Sequence, residues 1–215
     1  MDRRRLLLMA GAALLVALAA LGWRAVNRTE PNPPPAPATT EQPAAAIPAE
    51  GPRLVIEVDG EAKGTVVIAL AADVAPNHAE RLCTLAEAGA YDGVVFHRVI
   101  DGFMAQTGDV AFGREGGDLS RAGTGGSDLP DLAAEFSSIP FERGVVGMAR
   151  ARHPDSANSQ FFVMFAPGPH LNGQYTVVGR VIEGMEVVDA IKRGEGRNGK
   201  VFGRPDVMRQ VRCLR

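Results

Sequence analysis

Hydrophobic and polar positions follow three different patterns along this chain, and each predicts a different kind of structure. The first is an almost unbroken apolar run from Leu6 to Leu21, preceded by Arg3, Arg4 and Arg5 and followed by Trp23, Arg24 and Arg28. A run with no polar face is not the amphipathic stripe of a helix packed on a globular core. Its basic start and its length place it between a cleavable signal peptide and a spanning signal anchor. Trp23 and the flanking arginines suit a headgroup level and favour an uncleaved anchor. The stretch Ala17-Leu18-Ala19-Ala20 is an A-x-A pattern and favours cleavage. Either way the basic flank leaves the N-terminus in the cytoplasm and sends the remainder across the membrane. Residues 1–28 are therefore read as an apolar export helix.

The second pattern is the absence of periodicity. Between residues 29 and 52 eight positions are Pro, and most of the rest are Ala, Thr, Glu or Gln. Proline fixes φ and favours extended polyproline II, so this stretch reads as a semi-rigid spacer.

The third pattern begins at Arg53. The segments Arg53–Asp59 (R-L-V-I-E-V-D) and Gly64–Leu70 (G-T-V-V-I-A-L) are β-branched runs joined by a Gly-containing turn, which predicts a hairpin. Helical spacing runs from Pro76 to about Ala88, with Pro in the first turn and Gly89 just past the end. Short strands are predicted at 96–100, 103–106, 145–149, 161–165 and 176–181, each bounded by Gly or Pro. A second helix is predicted over about 185–192, then a last strand over about 206–212. Residues 53–215 thus form one mainly β domain, expected as a closed antiparallel barrel of about eight strands with two α-helices capping its ends.

Composition narrows the function. The net charge is −2, and no basic cluster occurs outside the first five residues; nucleic acid is not an expected partner, because phosphate binding needs such clusters. The four histidines, His78, His97, His153 and His170, lack metal-ligand spacing, and no cysteine cluster assists them. The loop Gly123-Thr124-Gly125-Gly126 is followed by no Walker lysine, and a flexible loop bordering a groove suits it better than a phosphate cradle. No metal or cofactor is expected. Cys83 and Cys213 are the only cysteines; outside the cytoplasm they can pair, but Cys83 falls on the apolar stripe of the first predicted helix, which favours a buried thiol.

Four dense runs remain: F-H-R-V-I-D-G-F-M-A-Q-T-G-D at 96–109, V-V-G-M-A-R-A at 145–151, S-A-N-S-Q-F-F-V-M-F at 156–165 and H-L-N-G-Q-Y-T-V-V-G at 170–179. In a strand, side chains at i and i+2 share a face, so Arg98, Met104 and Gln106 can be aimed at one surface. His97 then faces the other way, where a structural hydrogen bond is expected of it. In this order the four runs resemble the cyclophilin family of prolyl isomerases, over about 160 residues from Arg53 onwards.

The resemblance implies an eight-stranded barrel capped by two helices, and a site transferred residue by residue. Arg98 and Gln106 would be catalytic. Phe103, Met104, Ala149, Arg150 through its backbone, Gln160, Phe162, Leu171 and Tyr175 would bind substrate, with the Asn158 and Gln160 amides holding its backbone. Two positions depart from the eukaryotic pattern. His170 stands where many members carry Trp, so weak binding of cyclosporin is expected, and Tyr175 stands where they carry His; both choices resemble bacterial members. The implied activity is rotation about X-Pro bonds in proline-containing polypeptides by an extracytoplasmic monomer, secreted or held to the membrane by its N-terminal segment. The alternative reading is a proline-binding or chaperone module without catalysis. A hydrolase fits less well, since no Ser or Cys nucleophile sits in an activating motif.

Overall fold

A computed structural model describes residues 51–215. The predicted apolar helix and almost all of the Pro-rich spacer lie outside the described residues. Among the described residues no helix is long and apolar enough to cross a membrane.

The opening hairpin forms as predicted: β1 (Arg53–Asp59) pairs antiparallel with β2 (Gly64–Leu70), Ile56 opposite Val66. In β1 the period of two is visible, with Leu54, Ile56 and Val58 buried and their neighbours part-exposed. Then follow α1 (Pro76–Glu87), β3 (Val94–Val95), β4 (Arg98–Ile100), β5 (Met104–Thr107), β6 (Val145–Met148), β7 (Phe161–Met164), β8 (Val177–Glu183), α2 (Met185–Ala190) and β9 (Val207–Leu214).

Among the described residues all strands join one antiparallel sheet in the order β3-β9-β1-β2-β8-β6-β7-β5-β4. This corrects the expected eight-stranded closed barrel. The sheet has nine strands and is an open, curled half-barrel, because its two end strands do not pair with each other. The physical reason lies at Phe96 and His97, which split the strand predicted over 96–100 into β3 and β4. Both free edges bond to loops instead: the Val95 N–H donates to the Gly113 carbonyl (2.8 Å) and the Val99 N–H to the Gly199 carbonyl (2.7 Å). Covering an edge with a loop satisfies its backbone groups as well as closure would.

The central strands carry apolar residues on both faces, and the two faces belong to different cores. In β7, Phe161 and Val163 join the large core with Leu54, Ile56, Ile68, Leu82, Val99 and Met208. Phe162 and Met164 join a smaller one with Met104, Ile139, Phe141, Val145, Leu171 and Val177. This explains why the segment reads as an unbroken apolar run rather than an alternation.

Helix α1 packs its buried Leu82, Cys83 and Ala86 toward β9 and β1. The preference for a buried thiol at Cys83 is corrected here: Cys83 and Cys213 form a disulfide, their Cα atoms 5.0 Å apart. That separation is ordinary for a disulfide. The apolar stripe of α1 did place Cys83 inside, as expected; what it could not show is that β9 carries Cys213 directly beneath it.

Candidate active site

The site is built on the face of β4, β5 and β7 that carries the smaller core. Arg98 lies opposite Gln106 across β4 and β5, and Gln106 lies opposite Phe162 across β5 and β7. Directly opposed residues on one face of a sheet touch, and these do. Arg98 Nη1 donates to Gln106 Oε1 (3.0 Å). Gln106 Nε2 then donates to Gln160 Oε1 (2.9 Å), and Gln160 Nε2 to the Gly125 carbonyl (2.7 Å). Each amide is used once as acceptor and once as donor, so the row has a single direction, from the guanidinium to the glycine loop.

That loop is tied to the fold through a buried carboxylate. Asp109 is fully buried, and its Oδ2 accepts from the amides of Gly123 (2.7 Å) and Gly125 (2.9 Å) while Oδ1 accepts from those of Ala111 and Phe112. A carboxylate satisfied by four backbone donors links the segments that supply them. Asn158 likewise serves the scaffold rather than a ligand. Its side chain accepts from the Ser127 amide and hydroxyl and donates to the Leu129 carbonyl and to Asp131. Of the two amides expected to hold a substrate backbone, Asn158 is thus fully occupied, and Gln160 is committed to the row that ends at Arg98.

Beside Arg98 opens a cavity of about 410 Å³. Phe103, Met104, Phe162 and Leu171 give it apolar walls, Ala149, Arg150 and Tyr175 close one side, and His170 and Gln174 complete the rim. Met104, Phe162 and Leu171 are buried. The ring of Phe103 lies 5.3 Å from that of His170, and Tyr175 meets Phe162 edge-on at 6.0 Å. The guanidinium of Arg150 lies 4.3 Å over the Tyr175 ring and donates to the Gln174 carbonyl (3.0 Å), fixing Tyr175 from outside. The backbone amide and carbonyl of Arg150 enter no hydrogen bond among the described residues. A second cavity of about 420 Å³ adjoins the first, sharing Gln106, Ala149 and Arg150, and is lined by Gln160, Asn158 and the glycine loop. Nine of the ten residues transferred from sequence therefore line one cavity, and the tenth, Gln160, lines the adjoining one and belongs to the hydrogen-bonded row.

Arg98 has no carboxylate partner among the described residues. It is half-buried, and that burial draws its pKa below the ordinary arginine value; it nonetheless keeps its charge, since a guanidinium is not deprotonated in proteins. Its contacts are to neutral groups: Gln106, the Met104 sulfur (3.9 Å) and, through Nε, the Asn198 carbonyl (3.0 Å). Asn198 was not legible in the sequence. No motif announces it, and what it contributes is a backbone carbonyl from a distant loop.

The hydrogen bond expected of His97 is at best a weak one: the Val95 backbone lies close enough to pull on its proton, but neither ring nitrogen has a partner of full hydrogen-bond geometry among the described residues, and the ring lies against Gly123. Burial pushes its pKa down to about 4, against the pull of the nearby Asp109 carboxylate. The unfolded chain binds a proton near pH 6.5 that the folded one refuses until about pH 4. The resulting stability is complete above pH 6.5 and is lost as pH falls to about 4, by roughly 3 kcal/mol. Urea unfolding at pH 7 and pH 4 is expected to show this loss, and a His97→Phe protein should lose less over the same interval; parallel pH dependences would refute it.

Residues 53–213 match the family model described as cyclophilin type peptidyl-prolyl cis-trans isomerase/CLD. The chain belongs to this family. Among its relatives, a probable peptidyl-prolyl cis-trans isomerase of Brucella suis is 61% identical over 141 residues, covering 64% of this chain and 72% of that protein. A peptidyl-prolyl cis-trans isomerase of Arabidopsis thaliana is 36% identical over 130 residues, 60% of this chain and 78% of that one. Of solved structures, a cyclophilin from Hirschia baltica aligns with a TM-score of 0.60 at 27% identity, over 74% of this chain and 72% of that one. A Cryptosporidium parvum cyclophilin crystallised in the presence of the dipeptide ala-pro aligns with a TM-score of 0.64 over 76% of this chain and 99% of that one. At 23% identity this last likeness speaks for the fold alone. The cyclophilin described here thus shares both sequence and architecture with the family.

Proposed function

We propose that this cyclophilin isomerises X-Pro bonds of unfolded or exposed protein segments outside the cytoplasm, with Arg98 as its catalytic group and Gln106 as the residue that orients it. That the chain is a peptidyl-prolyl isomerase acting on proline-containing polypeptides follows from its family and fold. The observation that carries the finer reading is a charged guanidinium, with no carboxylate partner among the described residues, held beside a cavity with apolar walls.

Rotation about a peptide bond is opposed by about 18–20 kcal/mol of conjugation, and only X-Pro bonds populate cis appreciably. No bond is broken, so the protein has two tasks: to hold the proline ring, and to favour the twisted amide over both planar forms. Phe103, Met104, Phe162 and Leu171 suit the ring by burial. The free peptide groups of Arg150 are placed to bind the substrate backbone on the other side of the cavity. As the amide twists, its nitrogen regains a lone pair and its carbonyl oxygen swings. A fixed guanidinium can donate to both, and among the described residues no carboxylate offsets its charge.

The compartment reading rests on two features. The Cys83–Cys213 disulfide is of a kind that persists in oxidising surroundings. The basic start and apolar run of residues 1–28, followed by the spacer at 29–52, suit export of the domain at 53–215 across a membrane. Mass spectrometry of membrane and soluble fractions would separate the anchored form from the cleaved one.

A protease-coupled assay on a proline-containing peptide tests the activity. Acceleration of cis-to-trans exchange is expected. Binding of the peptide without acceleration would leave a proline-recognition module instead.

A further inference from the structure

β4 is the last strand of the sheet, and its outer edge is covered by a small hairpin from the C-terminal part of the chain. The Gly194 N–H donates to the Val99 carbonyl (2.9 Å), the Val99 N–H to the Gly199 carbonyl (2.7 Å) and the Val201 N–H to the His97 carbonyl (3.1 Å). Within the hairpin the Glu195 N–H donates to the Lys200 carbonyl (2.9 Å). Lys200 bridges Arg98 itself in antiparallel register.

Two positions of this hairpin leave no room for a side chain. A Cβ on Gly194 would collide with the Gly199 carbonyl oxygen. One on Gly199, whose φ is +63°, would lie 2.4 Å from Ile100 Cγ1 and 2.8 Å from the Val99 oxygen. Neither obstacle to Gly199 is the far end of a flexible side chain, so any larger residue must lift the hairpin off β4. The backbone conformation there also belongs to glycine. What this close approach delivers is the Asn198 carbonyl, 3.0 Å from Arg98 Nε.

We infer that this hairpin is a positioning element for the isomerase reaction: the Asn198 carbonyl holds Arg98 at Nε while Gln106 holds it at Nη1, and together they present the remaining Nη2 edge to the substrate. The inference rests on the reading of Arg98 as the catalytic group. Its physical basis is the shape of the guanidinium. One hydrogen bond leaves a planar group free to swing about it, whereas two at different atoms define its plane. Nη2 donates to nothing among the described residues, so it is the edge left over. An arginine side chain has much rotamer freedom to lose. A donor already fixed before the amide twists needs no reorganisation when the charge develops.

Gly199→Ala tests this. In the otherwise unchanged protein it is expected to lower kcat about tenfold, the effect of loosening one hydrogen bond to a charged group, with KM altered less than about twofold because the proline cavity is untouched. In an Arg98→Ala background the same substitution is expected to have no further effect, since the hairpin acts through Arg98. Arg197→Ala, at an exposed position of the hairpin, should leave turnover unchanged. A folded Gly199→Ala protein with full kcat overturns the inference, as does an equal fall in both backgrounds. Full turnover in Arg98→Ala alone would instead remove the catalytic reading, a distinguishable result. Should Gly199→Ala fail to fold, hydrogen exchange decides on the unaltered protein: the Arg98 Nε–H is expected to exchange at least about tenfold more slowly than that of Arg197, and equal rates overturn the inference.

Discussion

Arg98→Ala is expected to lower kcat/KM toward a proline-containing peptide about 100- to 1,000-fold, the range seen when a preorganised donor is taken from a site that stabilises developing charge. The loss should fall mainly on kcat. Phe103, Met104, Phe162 and Leu171, proposed to hold the ring, stay in place, and an interaction made only in the twisted state is invisible to ground-state binding. Stability should change by no more than about 1 kcal/mol, since Arg98 bonds only to neutral groups, from a half-exposed position. Arg98→Lys separates charge from geometry: it keeps the charge but has no planar fork with which to reach both Gln106 and Asn198. An intermediate activity is expected there. Near-normal turnover in the alanine protein would remove Arg98 from the mechanism.

The second large effect concerns stability. Cys83 and Cys213 are 130 positions apart in sequence, so their link closes a loop that takes in most of the described domain. Restricting so long a loop in the unfolded chain contributes about 2–5 kcal/mol, a large part of the roughly 5–15 kcal/mol that holds a typical domain together. The doubly substituted Cys83→Ser, Cys213→Ser protein, or the native one under reductant, should therefore unfold at markedly lower urea concentration. Neither cysteine lines the cavity beside Arg98, so activity per folded molecule should be preserved. Coincident unfolding curves with and without reductant would mean that the thiols are not joined.

Most of the domain's local structure is legible in the sequence because it is decided locally. The hairpin at Arg53–Leu70 and the first helix follow from β-branched runs, a proline at the helix start and a glycine past its end, and they form where expected. Closure of the barrel was not legible. Whether the edges of β3 and β4 meet each other or meet loops depends on Gly113 and Gly199, residues far along the chain from the strands they cover. The same limit governs the site. Side chains delivered by the sheet, such as Arg98, Gln106 and Phe162, could be placed on one face from a period of two and from the family resemblance. The roles of Asn158, Asp109 and the Asn198 carbonyl could not, since they are set by backbone groups that carry no residue-type signal. The disulfide belongs with these: each cysteine was visible, their adjacency was not.

The two-faced strand β7 has a consequence for how this enzyme can change. Its even-numbered residues, Phe162 and Met164, belong to the core beneath the cavity beside Arg98, and its odd-numbered ones, Phe161 and Val163, belong to the core that holds the sheet to its helices. Of the four only Phe162 lines the cavity beside Arg98, and all four are buried, so a change at Phe162 is expected to alter that cavity and the packing together, while changes at the other three are expected to weaken the scaffold alone. One strand thus ties the shape of the cavity to the packing of both cores, so that the cavity cannot drift at Phe162 without a cost in durability.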